Sequence, residues 1–258
     1  YSGQADLLFV QHAGQGEFPR LIVAPGTTEE ALSWSAVAMH IAWEFQIPAF
    51  ILSDKTLSEG TYSTDLALVQ KITEGDVPTW DKKTPYRRYA DTPSGISPLS
   101  IPGTGGAVVK VNSYAHDEAG ITTEEADIVA QMTEKRQRKA DGLSQAMNRY
   151  PQVTISGNPS ALVAILCWGS TAMVCQEVAG PLGLRVVRPV VLSPFPEEIL
   201  KKALEGAGMV IAVEENATAQ LATLAGQHGI ICQKKILRYD GRPFTPELLL
   251  EKIKEVLS

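Results

Sequence analysis

Two short apolar runs near the start of the chain, residues 21–24 and 47–52, flank a segment with helical spacing. The segment opens with hydroxyl and acidic residues, which cap free amides and suit the positive end of a helix. Its apolar positions predict a helix buried over much of its surface, and these positions are Leu32, Ala36, Met39, Ile41 and Trp43. Because uninterrupted apolar strands joined by a helix are typical of a parallel sheet, the pattern predicts one βαβ unit.

The same alternation recurs over residues 151–258. Apolar runs at 161–166, 184–192, 209–213 and 231–237 predict four strands, and the segments between and after them predict helices. Strands that alternate with helices form parallel or mostly parallel sheets. We therefore predict a complete α/β domain in this part of the chain.

Prolines and glycines punctuate the residues between these two regions. Their density over residues 78–106 predicts an extended arm and excludes long helices there. Residues 107–111 are compatible with one strand, and residues 122–148 predict one long helix. We accordingly divide the chain into residues 1–55, the end of a parallel-sheet domain; residues 56–150, a connecting arm; and residues 151–258, an α/β domain.

The composition is that of a globular protein and argues against several classes of function. Hydrophobic residues make up 44% of the 258 residues, yet no run approaches the ~20 apolar residues of a membrane span. The first ten residues lack the basic and apolar regions of a secretory signal. The net charge of −6 falls on residues 1–150, so we expect no basic face for nucleic acid. We predict a cytoplasmic protein that binds neither membrane nor nucleic acid.

One basic cluster stands out within the predicted long helix. Acidic residues precede it, so we interpret it as a solvent-facing or interface-facing helix surface. The cluster consists of Lys135, Arg136, Arg138 and Lys139. The three cysteines of the chain are too few and too irregularly spaced for a disulfide framework, a zinc site or an iron–sulfur site. We therefore predict no metal site on this chain.

Three adjacent titratable residues, His116, Asp117 and Glu118, follow the possible strand at 107–111. Such a group can perform acid–base chemistry or bind a cation, and we take these three as catalytic candidates. A polar turn held by local hydrogen bonds is an equally good interpretation. Adjacent side chains in a loop point apart, and no second cluster supplies the remaining ligands of a metal.

Two further segments lie where predicted strands end. Residues 168–171 (Trp-Gly-Ser-Thr) lead into a helix, where free amides can hold an anion. A glycine turn with a hydroxyl cap is the alternative. Residues 214–216 (Glu-Glu-Asn) follow the strand at 209–213, at the end of the sheet where ligands gather. A pair of surface carboxylates is the alternative, and neither segment completes a catalytic constellation.

Short segments spread over nearly the whole chain form an ordered set. They are Glu17-Phe18-Pro19-Arg20, Ile22-Val23-Ala24-Pro25-Gly26, Glu29-Glu30-Ala31, Ile47-Pro48, Leu52-Ser53-Asp54-Lys55, Leu57-Ser58-Glu59, Gly95-Ile96-Ser97-Pro98, Ile101-Pro102-Gly103-Thr104, His116-Asp117-Glu118-Ala119-Gly120, Glu134-Lys135-Arg136, Trp168-Gly169-Ser170, Pro194-Phe195-Pro196, Glu214-Glu215-Asn216-Ala217-Thr218-Ala219-Gln220-Leu221 and Tyr239-Asp240-Gly241-Arg242-Pro243-Phe244-Thr245-Pro246. In this order they resemble the alpha subunit of 2-oxoacid:ferredoxin oxidoreductases. The resemblance is specific because of the order, and no single segment decides it.

The resemblance implies an α/β fold in three parts. These are a remnant of a parallel-sheet thiamine-pyrimidine domain (1–55), the connecting arm (56–150) and a transketolase-C-terminal-like domain (151–258). Residues 1–8 resemble the stretch just after a Gly-Pro-Ser-Thr-Gly loop of the family. The chain thus resembles the C-terminal part of an alpha subunit, as a fragment or a split subunit. The family's activating glutamate and carboxylate-binding arginine lie upstream of that loop and have no counterparts here.

The activity implied by the resemblance is oxidative decarboxylation of a 2-oxoacid, such as 2-oxoglutarate or pyruvate, to an acyl-coenzyme A, with electrons passed to ferredoxin. Thiamine diphosphate, Mg²⁺ and a 4Fe–4S cluster are expected mainly on a partner beta chain, and none tightly on this chain alone. The implied partners are that beta subunit, an upstream pyrimidine-domain segment, ferredoxin and coenzyme A. Two alternatives are another thiamine diphosphate enzyme, such as a transketolase or a pyruvate dehydrogenase beta chain, and a non-catalytic scaffold for a thiamine-binding partner.

Overall fold

The computed structural model describes residues 3–69 and 76–258, which form two β-sheets with helices packed against them. Tyr1 and Ser2, the first residues of the segment that resembles the stretch after the family's loop, lie outside the described residues. Residues 70–75 of the predicted arm lie outside them as well. Within the two described ranges, no helix combines the length and the apolar character needed to cross a bilayer.

The first sheet has three strands in the order β2–β1–β6, and its third strand, β6 (Val191–Ser193), comes from the later part of the chain. Strands β1 (Leu21–Val23) and β2 (Ala49–Ile51) are parallel, and α2 (Thr28–Phe45) joins them, which confirms the predicted βαβ unit. The short helices α1 (Leu7–His12) and α3 (Lys55–Glu59) precede and follow this unit.

Helix α2 buries Ile41 as predicted, but the face that it buries differs from most of the face that its spacing predicts. Leu32, Met39 and Trp43 are 52%, 63% and 58% exposed, so the prediction that they are buried is wrong. The buried face packs against the far end of the long helix of the arm and consists of Trp34, Val37, Ala38, Ile41 and Phe45. Because both faces of α2 carry apolar residues, the helical periodicity of the sequence does not show which of the two faces is buried.

The second sheet has five strands in the order β3–β5–β4–β7–β8. Strands β4, β5, β7 and β8 are parallel, and the edge strand β3 runs antiparallel to β5. The strands are β3 (Val153–Gly157), β4 (Val163–Leu166), β5 (Arg185–Pro189), β7 (Met209–Glu214) and β8 (Lys234–Leu237), and the helices are α5 (Thr171–Leu182), α6 (Glu197–Ala203), α7 (Gln220–Gln227) and α8 (Pro246–Leu257). The predicted α/β class is confirmed, whereas β3 has no counterpart among the predicted elements.

The apolar run at 184–192 crosses from one sheet to the other. It was predicted as one strand, but β5 ends at Pro189 and β6 (Val191–Ser193) pairs antiparallel with β1 of the first sheet. At the crossing, the Val190 carbonyl accepts a hydrogen bond from the Ala24 amide (2.8 Å). One hydrophobic cluster accordingly contains residues of both sheets, among them Ile22 and Leu166. The two sheets share a core, and the domain boundaries stay a prediction.

The described part of the arm is mostly irregular and lies against a long helix, α4 (Ala126–Ala146). The helix confirms the prediction for residues 122–148, with a later start. The strand considered for residues 107–111 is wrong, because this stretch has no ladder partner. Val108 and Val111 are 83% and 63% exposed, so β-branched residues alone did not make a strand without a neighbouring edge.

Candidate functional site

His116 lies on the arm with its ring against Tyr89. The two ring centroids are 3.8 Å apart, and His116 Nδ1 lies 2.7 Å from the Tyr114 carbonyl oxygen. Because a carbonyl oxygen only accepts, Nδ1 carries the proton in this contact. Nε2 is thus the ring nitrogen left to meet a ligand.

Asp117 and Glu118 are engaged within the arm. The Asp117 carboxylate accepts hydrogen bonds from the amides of Ala119 and Ile121, each at 2.9 Å, and so closes a turn. The Glu118 carboxylate accepts from the Arg87 guanidinium at 3.2 Å and from the Asp91 amide at 3.0 Å. The three candidates do not converge on one point, and among the described residues no group of His, Cys, Asp and Glu side chains is arranged to hold a metal. Their catalytic role stays a prediction.

The arm crosses α4 at Gly95, close to the buried Lys135. Gly95 has a φ of 73°, and a Cβ at this position would overlap the Lys135 carbonyl oxygen and lie 2.8 Å from the Lys139 amide nitrogen. Lys135 is 7% exposed, and its ammonium donates to the Tyr89 carbonyl (2.7 Å) and the Ser97 hydroxyl (2.6 Å). The interpretation of this basic cluster as a solvent-facing surface is therefore wrong for Lys135. Lys135 and Lys139 are four residues apart and therefore lie on the same face of the helix. This spacing is the sequence signal that could have shown that the two lysines share one site.

A cavity of about 380 Å³ opens beside this crossing. It lies between the loop before β1, the turn before β2, the arm and α4, and its lining includes His116, Lys135, Arg136 and Lys139. Burial and, secondarily, neighbouring cations lower the pKa of Lys135 and of Lys139 to about 8 each. The structure thus brings one of the three predicted candidates together with three residues of the basic cluster.

The lowered pKa of Lys139 predicts how stability depends on pH. Its folded value of about 8 is below the ordinary 10.5, so the unfolded chain binds more protons between these values and wild-type stability rises with pH there. Lys139→Met removes this cost, so we expect the variant to be more stable than the wild type at pH 7, by about 1–2 kcal/mol after allowance for partial exposure. Denaturant unfolding in a phosphate-free buffer should show the gap closing by about pH 10.5. A gap independent of pH would contradict this.

The carboxylate of Glu214 is fully buried at the end of β7. It accepts hydrogen bonds from the Trp168 indole (3.2 Å), the Asn216 side-chain amide (2.8 Å) and two backbone amides in the first turn of α7, at Leu221 (2.9 Å) and Ala222 (3.0 Å). Negative charge at a helix N-terminus is favourable, and four donors offset its loss of water. The alternative of surface carboxylates for residues 214–216 is wrong, and Glu214 holds the second sheet to α7.

The Trp-Gly-Ser-Thr turn at residues 168–171 is bound to the first sheet by Asp54. The Asp54 carboxylate caps α3 through the Leu57 amide (3.1 Å) and accepts from the Ser170 hydroxyl (2.6 Å) and amide (3.3 Å). Asp54 itself is 8% exposed. The Ser170 amide, which an anion at this turn would need, therefore already donates to a carboxylate of the chain. The turn serves to connect the two sheets.

Comparisons with known proteins agree on one family. The family profile described as pyruvate flavodoxin/ferredoxin oxidoreductase, thiamine diphosphate-binding, matches residues 1–135. The 2-oxoacid:ferredoxin oxidoreductase subunit alpha of Saccharolobus solfataricus is 32% identical over 268 residues, which cover 100% of this chain and 42% of that protein. Subunit alpha of 2-oxoacid:ferredoxin oxidoreductase 2 of Aeropyrum pernix is 32% identical, with 100% and 41% covered.

A solved structure gives the same answer for the fold. The 2-oxoglutarate:ferredoxin oxidoreductase from Magnetococcus marinus, with 2-oxoglutarate, coenzyme A and succinyl-CoA bound, matches with a TM-score of 0.83 at 26% identity. The match covers 100% of this chain and 46% of that one. The chain spans less than half the length of the curated relatives named above. Because the profile matches more than half of the chain, the chain belongs to the family of 2-oxoacid:ferredoxin oxidoreductase alpha subunits.

Proposed function

We propose that the chain forms the C-terminal part of an alpha subunit that takes part in the oxidative decarboxylation of a 2-oxoacid to an acyl-coenzyme A, with ferredoxin as electron acceptor. The observation that carries this proposal is the match of all 258 residues to one continuous part of such subunits. Turnover would require the remaining part of the subunit and a beta chain. The three free cysteines suit the reducing cytoplasm, which we propose as the location.

An exposed apolar stripe on α2 supports the proposal that a partner chain binds there. Leu32, Met39 and Trp43 are each more than half exposed and follow one another at seven and four residues, so they share one face of the helix. Several exposed apolar side chains on one helix face are typical of protein interfaces. We propose that this stripe contacts the beta subunit or the upstream part of the alpha subunit.

The partner contact can be tested at Trp43. We expect Trp43→Lys to reduce co-purification with a co-expressed beta subunit at least about tenfold, since burying a lysine in an apolar contact costs more than 1.4 kcal/mol. The thermal midpoint of the chain itself should stay unchanged because the indole is exposed. Phe9→Lys, at a residue that is 74% exposed on α1, is the control. Unimpaired co-purification of the Trp43 variant would exclude the stripe from the interface with the beta subunit and leave the upstream part of the alpha subunit as its proposed partner.

The described residues do not fit a thiamine diphosphate–magnesium site. The carboxylates that follow β2 and end β7, Asp54 and Glu214, are both occupied by donors of the chain, as is Glu215, whose carboxylate accepts from the Phe244 amide (3.3 Å). The profile places the chain in a thiamine diphosphate-binding family. We therefore propose that Mg²⁺, the diphosphate and an iron–sulfur cluster are held mainly by the beta chain.

Calorimetry tests whether thiamine diphosphate and Mg²⁺ bind to the beta chain and not to this chain alone. We expect the isolated chain to show no saturable binding of thiamine diphosphate with Mg²⁺ at concentrations up to about 100 µM, the weak side of micromolar affinity. The complex with the beta subunit should bind both. Micromolar binding by the isolated chain would contradict the proposal that the partner holds the cofactor, without bearing on the family assignment.

A further inference from the structure

Three cations line the cavity beside the arm crossing, a fourth lies next to its wall, and in the described chain none of the four forms an ion pair. Lys135 donates to a carbonyl and a hydroxyl, and Arg136 donates to the Glu17 carbonyl (3.1 Å) and the Thr133 hydroxyl (2.9 Å). Arg88 donates to the Gln46 side-chain carbonyl (2.7 Å) in the adjoining wall. Lys139 has no hydrogen bond or ion pair to any described residue. All of these acceptors are neutral, so no ion pair within the described chain compensates the four positive charges.

The nearest carboxylates are already taken by other arginines. Asp91 pairs with Arg138, and Glu118 pairs with Arg87 at 3.2 Å. Both carboxylates still act on Lys135 through space, while Arg88 and Arg136 repel Lys139. Holding like charges together in a partly buried site costs free energy unless something compensates them. The fold thus maintains a concentration of positive charge that its own acidic groups do not neutralise.

Neutral hydrogen-bonding groups complete the lining. Asn112 lies on the wall of the cavity, and His116 contributes a ring whose Nε2 is not used within the described chain. The space of about 380 Å³ exceeds what a tetrahedral oxyanion needs and admits a small molecule that carries one. Arginine matches phosphate oxygens with two parallel donors, and lysine adds a point charge.

We propose that this cavity binds the phosphate group of a small anionic ligand, with Lys139 and Arg136 as the direct cationic contacts and Lys135 and Arg88 behind them. A multiply charged anion matches four unbalanced cations better than a monocarboxylate does. The inference is independent of the proposed enzymatic activity. It assigns a function to the basic cluster that neither solvation nor the hydrogen bonds within the arm explain.

The ionisation of Lys135 and Lys139 predicts that anion binding to the cavity depends on pH. Both lose their protons around pH 8, so the positive charge of the cavity falls between pH 7.5 and 9.5. Sulfate remains a dianion throughout, and the pH dependence of its binding therefore reports on the protein alone. The other charged or titratable groups near the two lysines, on α4, the arm and the loop before β1, are Arg136, Arg88, Tyr89, His116, Glu17, Asp91 with its partner Arg138, and Glu118 with its partner Arg87.

The test is calorimetric titration of the 258-residue chain with inorganic phosphate and with sulfate, at an ionic strength held constant with chloride. We expect saturable binding with a Kd of about 1 mM, weakened about tenfold by Lys139→Met and retained in Lys139→Arg. Lys202→Met, at an exposed lysine of α6, is the matched control and should bind like the wild type. Sulfate affinity should fall at least about threefold from pH 7.5 to 9.5.

Three outcomes would overturn the proposal. They are no saturable binding of either anion to the wild type, equal binding by the Lys139→Met and Lys202→Met variants, and a sulfate affinity that does not change with pH. Circular dichroism establishes that each variant is folded before titration. If Lys139→Met does not fold, Arg136→Gln takes its place, with the same expected loss. If the isolated chain aggregates, the titrations are made on the complex with the beta subunit, with thiamine diphosphate and Mg²⁺ added first so that the diphosphate site is already filled.

Discussion

Glu214→Ala is expected to lower the free energy of unfolding by about 4 kcal/mol and to leave the second sheet largely unfolded at physiological temperature. The carboxylate is fully buried and accepts from four donors, two of which are backbone amides in the first turn of α7. Alanine leaves all four without a partner and removes the charge that suits this helix end. Denaturant unfolding followed by circular dichroism measures the loss.

Two variants separate the role of this carboxylate from a general effect of substitution. Glu214→Gln keeps one acceptor oxygen but turns a donor toward other donors, so an intermediate loss of about 2 kcal/mol is expected. Glu198→Ala removes a carboxylate with 89% exposure on α6 and should change stability by less than about 0.5 kcal/mol. If Glu214→Ala changed the free energy of unfolding as little as Glu198→Ala does, the hydrogen bonds of the buried Glu214 carboxylate would not contribute to stability.

Gly95→Ala is expected to detach the arm from α4. The backbone at Gly95 has a φ of 73°, and an added Cβ would overlap the Lys135 carbonyl oxygen on the helix. The backbone strain costs about 1 kcal/mol, and the overlap can be relieved only by moving the arm, with the Lys135 hydrogen bonds to Tyr89 and Ser97. We expect a total loss of about 3 kcal/mol and rapid protease cleavage within residues 86–120.

Gly103→Ala is the matched control for this change. Gly103 lies on the same arm with a φ of 87°, but an added Cβ meets no atom within 4 Å. It therefore reports the backbone strain alone, at about 1 kcal/mol, with the arm still protected from protease. Equal effects of the two substitutions would show that the close approach of the arm to α4 does not matter.

The alternation of strands and helices was predictable from local pattern. Apolar runs at 21–24, 161–166 and 209–213 are strands in the structure, and Thr27 caps α2 by accepting from the Glu30 amide at 3.2 Å. These features depend on neighbours along the chain, which a sequence displays directly. The family resemblance was predictable because its segments occur in order over nearly the whole chain.

The features that were missed depend on contacts distant in sequence. Val190 lies within one apolar run, and only the position of β1 reveals that the run divides between two sheets. Glu214 reads as a surface residue until the indole of Trp168 and the start of α7 are placed around it. Lys135 looks solvent-exposed because the arm that buries it at Gly95 has no regular structure to predict. Side-chain partners of this kind are set by tertiary packing.

The most direct test of the central proposal is turnover by a chimaeric alpha subunit. This chain would replace the matching 42% of the Saccharolobus solfataricus alpha subunit, co-expressed with its beta subunit. The measured quantity is the reduction of ferredoxin that depends on both coenzyme A and a 2-oxoacid, with pyruvate and 2-oxoglutarate each supplied. We predict turnover well above that of an alpha subunit lacking the segment. An assembled, cofactor-loaded complex that reduces no ferredoxin with either 2-oxoacid would contradict the proposal.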